Sequence, residues 1–218
     1  MKTKRDKVFI WPSWISKLVA GEEQCEWKYW FKAHYKVDKS RSTDYSLATW
    51  CINHTKLIKS RRDELEALGY VVTLEDQNSF YYTPPGKTYT ISGKADLVAV
   101  YQEPVMPDGM VERVLVEDAK TGKCKTSDFV QVLFYMYMLP VAHKLFKGFD
   151  FAGTVVYKGI QNQPVPSAAK KDMKLKNNIW ATINQIAGDE SDCRRVPSWN
   201  ECKRCDICRG DCASRMGD

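Results

Sequence analysis

The sequence predicts an α/β protein. Strand-like runs "YVVTLED", "SFYYT", "TYTISGKADLVAVY" and "VLVEDAKT" fill the middle of the chain. Segments with helical spacing of apolar residues stand on both sides of them. The 218 residues, 44% of them hydrophobic, suffice for one well-filled domain with a small appendage.

Taken in order, "WPSWISKLVAGEEQCEWKYWFKAHYK" reads as helical and aromatic-rich, with Ser13 as N-cap. The polar connector "VDKSRSTD" follows. A long helix from about Tyr45 to Leu68 closes at Gly69, a C-cap residue. Its inward stripe reads Leu47, Trp50, His54, Leu57, Arg61, Leu65, Leu68. Residues 88–101 and 111–121 then form an antiparallel hairpin, turning at "PDG", where Pro presets φ and Gly permits positive φ. A helix over "DFVQVLFYMYMLPVAHKLF" carries an apolar stripe of Val130, Leu133, Phe134, Tyr137 and Met138. "FAGTVVYKG" reads as a strand, and a basic loop leads into a helix around "NNIWATINQIAG". The last piece, "CRRVPSWNECKRCDICRGDC", has too few hydrophobics for a core and needs a metal or cluster to hold a shape.

The formal charge of +6 and pI of about 8.8 suit a polyanionic partner. The N-terminal stretch has no long apolar run and no small-residue cleavage site, and no segment is long enough to span a membrane. An intracellular, cytoplasmic protein is expected, where structural disulfides are uncommon. The eight cysteines then need another role, and four of them fall between Cys202 and Cys212.

Strand alternation sorts the acids of "VLVEDAK". Val114, Val116, Asp118 and Lys120 share one face, while Leu115, Glu117 and Ala119 share the other. Asp118 therefore works with Lys120, and Glu117 points away. A hairpin symmetric about Pro107 sets Asp96 opposite Asp118. Facing carboxylates destabilise a sheet unless a cation lies between them. Carboxylate oxygens suit Mg²⁺ or Mn²⁺. Such a metal polarises a phosphodiester and lowers the pKa of a water, and Lys120 can orient that water or steady charge on phosphorus. His54 is either a satisfied core histidine or a further metal ligand. Gln131 and Tyr135 share one side of their helix, flanking the apolar stripe. Gln131 is placed to bond near Lys120, and Tyr135 to contact a DNA backbone.

In order along the chain stand His54, "GKAD" ending at Asp96, "DAK" from Asp118 to Lys120, and "QVLFY" from Gln131 to Tyr135. This series resembles the PD-(D/E)xK nuclease superfamily in its RecB-like branch. The resemblance covers nearly the whole chain. It implies a restriction-endonuclease-like core with a central mixed β-sheet flanked by helices. It also implies catalytic roles for His54, Asp96, Asp118, Lys120, Gln131 and Tyr135. The metal would be held by His54, Asp96, Asp118 and the Ala119 backbone carbonyl. The implied regions are 1–45, helical and supplying the first cluster cysteine; 46–160, the nuclease core; and 161–218, a C-terminal helix and Cys-rich cluster region packed on the N-terminal helix.

The same resemblance extends to members with a 4Fe-4S cluster, such as the AddB nuclease domain and stand-alone CRISPR-associated and phage exonucleases. It implies Cys25, Cys202, Cys205 and Cys212 as ligands, with Cys208 as substitute. This chain departs from the usual C-x2-C-x5-C ending, because four cysteines compete for three places. The run also fits ferredoxin-type spacing, although Ala213 stands where proline commonly follows, and clustered cysteines also fit Zn²⁺. Cys51 reads as helix packing; Cys124 and Cys193 carry no motif.

DNA-binding candidates are Tyr135, Lys170, Lys171 and Lys174, in a basic patch continued by Lys176. Arg194, Arg195, Lys203, Arg204 and Arg209 form a second patch. Trp27, Tyr29 and Trp30 are candidate stacking surfaces for single-stranded nucleic acid. The expected function is a metal-dependent DNA exonuclease or end-trimming enzyme acting on single-stranded or frayed ends. The resemblance implies a place in CRISPR spacer acquisition or in phage or recombination DNA processing, with an integrase or recombination complex as the expected partner, in a prokaryotic or phage-infected cell. The alternative is a non-catalytic iron–sulfur or zinc protein that binds DNA ends.

Overall fold

The computed structural model describes residues 2–37, 44–101 and 114–217. The sequence-predicted PDG turn and most of the polar connector lie outside them. The elements begin with β1 (Thr3–Lys4), β2 (Val8–Ile10), α1 (Pro12–Val19), α2 (Glu26–His34), β3 (Tyr35–Lys36) and α3 (Asp44–Ala67). Next come β4 (Tyr70–Leu74), β5 (Ser79–Tyr82), β6 (Tyr89–Lys94), β7 (Leu97–Tyr101), β8 (Val114–Lys120) and α4 (Thr126–Ala142). The chain ends with β9 (Phe151–Tyr157), β10 (Gln163–Pro164), α5 (Ser167–Lys171), α6 (Met173–Ala187) and α7 (Trp199–Lys203). The fold is α/β, with a mixed central sheet flanked by helices. Two compact units divide the chain: 1–43, 83–91 and 173–218 in one, 44–82 and 92–172 in the other. The N-terminal region and the C-terminal region, the latter from Met173 on, belong to one unit, together with residues 83–91. No helix among the described residues is long and apolar enough to cross a membrane.

In the second unit, β10, β9, β8, β7 and β4 lie side by side in one sheet. β8 and β9 run parallel, joined through α4, as parallel neighbours require a crossover. β7 and β8 are antiparallel, with Leu97 opposite Glu117 and Val98 opposite Val116. This is the register expected from a hairpin centred on Pro107. The expected 88–101 strand, however, breaks at Ala95 and Asp96. The Asn78 amide donates to the Ala95 carbonyl and the Glu75 N–H to the Asp96 carbonyl, which draws both out of a ladder. β6 therefore ends at Lys94, and its first half pairs in parallel with β2.

Helices α3 and α4 cover opposite faces of the sheet. Ile58 and Leu65 of α3 pack on Tyr70, Leu97, Ala99, Tyr101 and Ala119. The expected α3 stripe is corrected here: Leu47, Trp50 and Leu68 are exposed, and Ile58 takes an inward place. Gly69 ends the helix at φ +88°, a left-handed backbone that glycine adopts without strain. α4 is buried nearly all round, well beyond one stripe. It comes close to β9 because Gly153 has no side chain. A Cβ there would lie 2.6 Å from both Met136 Sδ and Val132 Cγ1.

The first unit is built on aromatic residues. Trp27, Tyr29, Trp30 and Phe31 of α2 are buried with Ile179, Ile183 and Ile186 of α6, whose spacing marks one helix face. The Trp30 indole donates to the Gly188 carbonyl at 3.0 Å and the Trp27 indole to Glu190 at 2.7 Å. α1 starts at Pro12, whose missing N–H would be unpaired there in any case, so Ser13 is inside the helix and is not its cap. α5 and the start of α6 occupy most of the stretch expected as a basic loop.

Candidate functional site

The alternation of β8 governs the site. Glu117 is 0% exposed and faces α3, where Arg61 Nε and Nη2 each donate to its carboxylate at 2.8 Å. Asp118, 2% exposed, faces α4, where Gln131 Nε2 donates to its Oδ1 at 3.1 Å. Lys120 shares the Asp118 face, with Nζ 2.5 Å from Asp118 Oδ2. Gln131 joins the group fully. Its Oε1 accepts from Lys120 at 3.4 Å, and its second amide hydrogen goes to the Tyr135 hydroxyl at 3.1 Å. Tyr135 is 4% exposed, so it supports Gln131 and is not available as a DNA contact.

Asp96 reaches the same place from the strand break. Its Oδ2 accepts the Ala119 N–H at 2.7 Å and lies 3.2 Å from His54 Nε2. His54 is held by a charged partner and stacked under Trp50, so it is not a plain core histidine. Glu75 shapes this corner. Among the described residues it is the non-glycine residue with positive φ, 38°, a backbone form that L-residues rarely adopt, and its N–H donates to the Asp96 carbonyl at 2.9 Å. Sequence reasoning missed Glu75, Arg61 as the Glu117 partner, and Asp128. The Asp128 carboxylate accepts the Lys125 N–H at 3.1 Å and the Tyr157 hydroxyl at 2.8 Å, fixing the start of α4. Only half of a capping box forms there, Asp128 accepting the Lys125 N–H, because the lysine side chain has no acceptor to return it.

Burial pushes Asp118 up to about 7; Lys120 opposes that rise, and the Asp96 charge adds to it. Burial lowers the Lys120 pKa, but the Asp118 carboxylate outweighs it and leaves Lys120 raised. The hydrogen bond to Asp96 raises His54. Asp118 Oδ2 is buried without hydrogen-bond geometry to any described group, its charge met by the ammonium of Lys120 alone. Two carboxylates, one of them with an oxygen that accepts no hydrogen bond, and an imidazole fit a divalent cation such as Mg²⁺ or Mn²⁺. In this arrangement the donors are turned to protein partners. No three His, Cys, Asp or Glu side chains among the described residues close on one ion.

The cysteines gather elsewhere, in the first unit. Cys25, Cys202, Cys205 and Cys212 line one cavity with Trp27, Ile207 and Arg215. Cys25 is the N-cap of α2, and Glu201 of α7 accepts the N–H groups of Gln24 at 3.0 Å and Cys25 at 3.2 Å. A carboxylate at a helix N-terminus satisfies free donors and the dipole together. The buried Arg215 guanidinium donates to the carbonyls of Cys205 at 2.9 Å and Ile207 at 2.7 Å. Burial raises the thiols of Cys205 and Cys212, and nearby Cys25 and Cys202 add to the rise at Cys212. Cys208 is exposed, outside the cavity lining, with its thiol on Asp211. Cys51 is exposed and does not pack the helix; Cys193 is buried, with Sγ toward the Gln185 carbonyl.

The basic patches divide. Lys170 is paired with Asp150 and donates to the Phe151 carbonyl, so it is not a free phosphate contact. Its position is set by the β9 start. Lys171 and Lys174 are exposed. Arg195 lies over the Trp27 ring and pairs with Glu190. Trp27, Tyr29 and Trp30 are buried and offer no stacking surface, because α6 covers them.

No family model matches the chain. No curated protein matches it. Eight solved chains match. One, described as "Crystal structure of SSO0001", is 18% identical with a TM-score of 0.50, covering 99% of this chain and 90% of its own. That likeness concerns the fold.

Proposed function

We propose that the chain is a metal-dependent deoxyribonuclease of the PD-(D/E)xK superfamily, RecB-like branch, with a restriction-endonuclease-like core. One observation carries the reading: His54 of α3, Asp96 of the β6–β7 break, Asp118 and Lys120 of β8 and Gln131 of α4 form one connected set of contacts. A structural ion pair has no need of so many partners from so many elements. Asp96 and Asp118, with His54 and the Ala119 carbonyl, would hold Mg²⁺ or Mn²⁺. A cation held there would supply Lewis acidity toward a phosphodiester and lower the pKa of a water. Lys120 supplies the fixed positive charge that meets charge developing on phosphorus. Gln131 holds Asp118 and Lys120 at their spacing, and Tyr135 holds Gln131.

The four cysteines lining one cavity support a thiolate-held group, proposed as a 4Fe-4S cluster with Zn²⁺ as the alternative. The cluster would be structural, tying the C-terminal loop to α2. DNA with single-stranded or frayed ends is the proposed substrate, in CRISPR spacer acquisition or in phage or recombination processing, and an integrase or recombination complex is the proposed partner.

Anaerobically purified protein incubated with 5′- and 3′-labelled single-stranded DNA tests the reading. Degradation in Mn²⁺ or Mg²⁺ and none in EDTA is expected, with the labels reporting polarity. Binding without cleavage in either metal moves the reading to a DNA-end-binding protein.

A further inference from the structure

Trp50 is a side chain that α3 leaves outside the core. The residue is 48% exposed, and its indole lies on the His54 imidazole, 4.8 Å between centroids and 21° between planes. His54 in turn contacts Asp96. One residue before His54, Asn53 accepts a 2.8 Å hydrogen bond from Lys158 Nζ. Lys158 follows directly on β9, and its N–H donates to the Lys120 carbonyl at 3.0 Å. Among the described residues Lys158 has no carboxylate partner.

An exposed aromatic ring and a cation with no carboxylate partner among the described residues therefore lie close to His54. They stand at the carboxyl end of the parallel strands β8 and β9, where open α/β sheets place their ligands. Single-stranded nucleic acid needs these two things: a ring on which a base stacks and a cation for the backbone. The expected platforms, Trp27 and Trp30, are buried, so the exposed Trp50 is the indole beside the centre.

We infer that Trp50 and Lys158 form a nucleotide subsite beside the reacting centre, the indole stacking on an unpaired base and Lys158 meeting a phosphate of the same DNA strand. The inference rests on reading the Asp96, Asp118 and Lys120 group as a nuclease site. A base inside a duplex has both faces covered by its neighbours. The subsite therefore selects single-stranded or frayed ends.

Equilibrium binding of a fluorescein-labelled oligodeoxythymidylate in EDTA tests this without cleavage. Trp50→Ala is expected to weaken binding about tenfold, within the range for loss of one base stack. Trp50→Phe is expected to restore most of it. The loss is expected to vanish on a probe of equal length built of abasic sugars. Lys158→Ala is expected to lower the slope of log K against log salt by about 0.7, the value for one phosphate contact on a single strand. Thermal unfolding of each variant checks that it folds.

Wild-type affinity in Trp50→Ala, or an equal loss on the abasic probe, would overturn the subsite. The indole would then serve a protein partner, together with exposed Leu47 and Ile52, or simply cover His54. Cleavage by wild type in Mn²⁺ separates the two claims. Cleavage with Trp50-independent binding removes the subsite alone. Trp50-dependent binding without cleavage keeps the stacking surface and removes the nuclease.

Discussion

Arg61 holds Glu117 through two 2.8 Å hydrogen bonds, while the next residue, Asp118, faces the other side of the sheet. Two adjacent acids thus have separate tasks. Both oxygens of Glu117 are occupied by one guanidinium in the interior, and this pair ties α3 to β8. Asp118 keeps an oxygen that no hydrogen bond satisfies.

Glu117→Ala is expected to lower the unfolding free energy by about 3 kcal/mol, because it removes the buried partner of the half-buried Arg61 and leaves it only the more exposed Glu64. Denaturant unfolding of the single variants and of Glu117→Ala with Arg61→Ala measures this. Strict additivity of the two losses would show that the pair contributes no coupling.

Gly153→Ala is expected to cost about 1–3 kcal/mol by overpacking, since the new methyl meets Met136 and Val132. A thermal melt reads it. An unchanged melting temperature would mean that α4 moves away from β9 without cost.

Glu23 sets an acid limit for the first unit. Its carboxylate accepts from Lys28 Nζ at 2.5 Å and Tyr29 Oη at 2.6 Å, with Lys17 at 3.3 Å. Burial alone would raise its pKa; these partners outweigh burial and bring it to about 2 from an ordinary 4.5. The folded value lies below the unfolded one, so the contribution is present above pH 4.5 and is lost as pH falls toward 2. Glu23→Gln is expected to be less stable at pH 7 by about 1–3 kcal/mol and to lose less stability across that acid window. Parallel acid titrations of both proteins would count against this assignment.

For the cysteine cavity, serine variants of Cys25, Cys202, Cys205 and Cys212 are expected to lose the visible absorption and the iron of the anaerobic protein. Cys208→Ser is expected to keep both, because Cys208 lies outside the cavity lining. Stoichiometric zinc with no iron in wild type would replace the cluster by a zinc site.

Much of the centre was legible because short-range rules fix it. Strand alternation separates Glu117 from Asp118, and the β7–β8 register follows from hairpin symmetry about Pro107. The four-residue spacing of Gln131 and Tyr135 sets both on one helix side, as found. What failed depended on packing between distant segments. Nothing local tells that α6 covers Trp27 and Trp30, or that Trp50 and Leu47 stay exposed while Ile58 and Leu65 pack on the sheet. The break at Ala95 and Asp96 was equally hidden, since it depends on Asn78 and Glu75 reaching back to their carbonyls. Lys170 reads as a free cation in the sequence because its partner, Asp150, comes 20 residues earlier.

The most direct measurement is the cleavage rate of end-labelled single-stranded DNA in Mn²⁺ by wild type and by Lys120→Ala. A loss of about 10²–10³-fold in Lys120→Ala, with the fold and DNA binding retained, is the expected result. Equal rates in the two proteins would show that the Asp118–Lys120 pair is a structural contact and that any cleavage arises elsewhere.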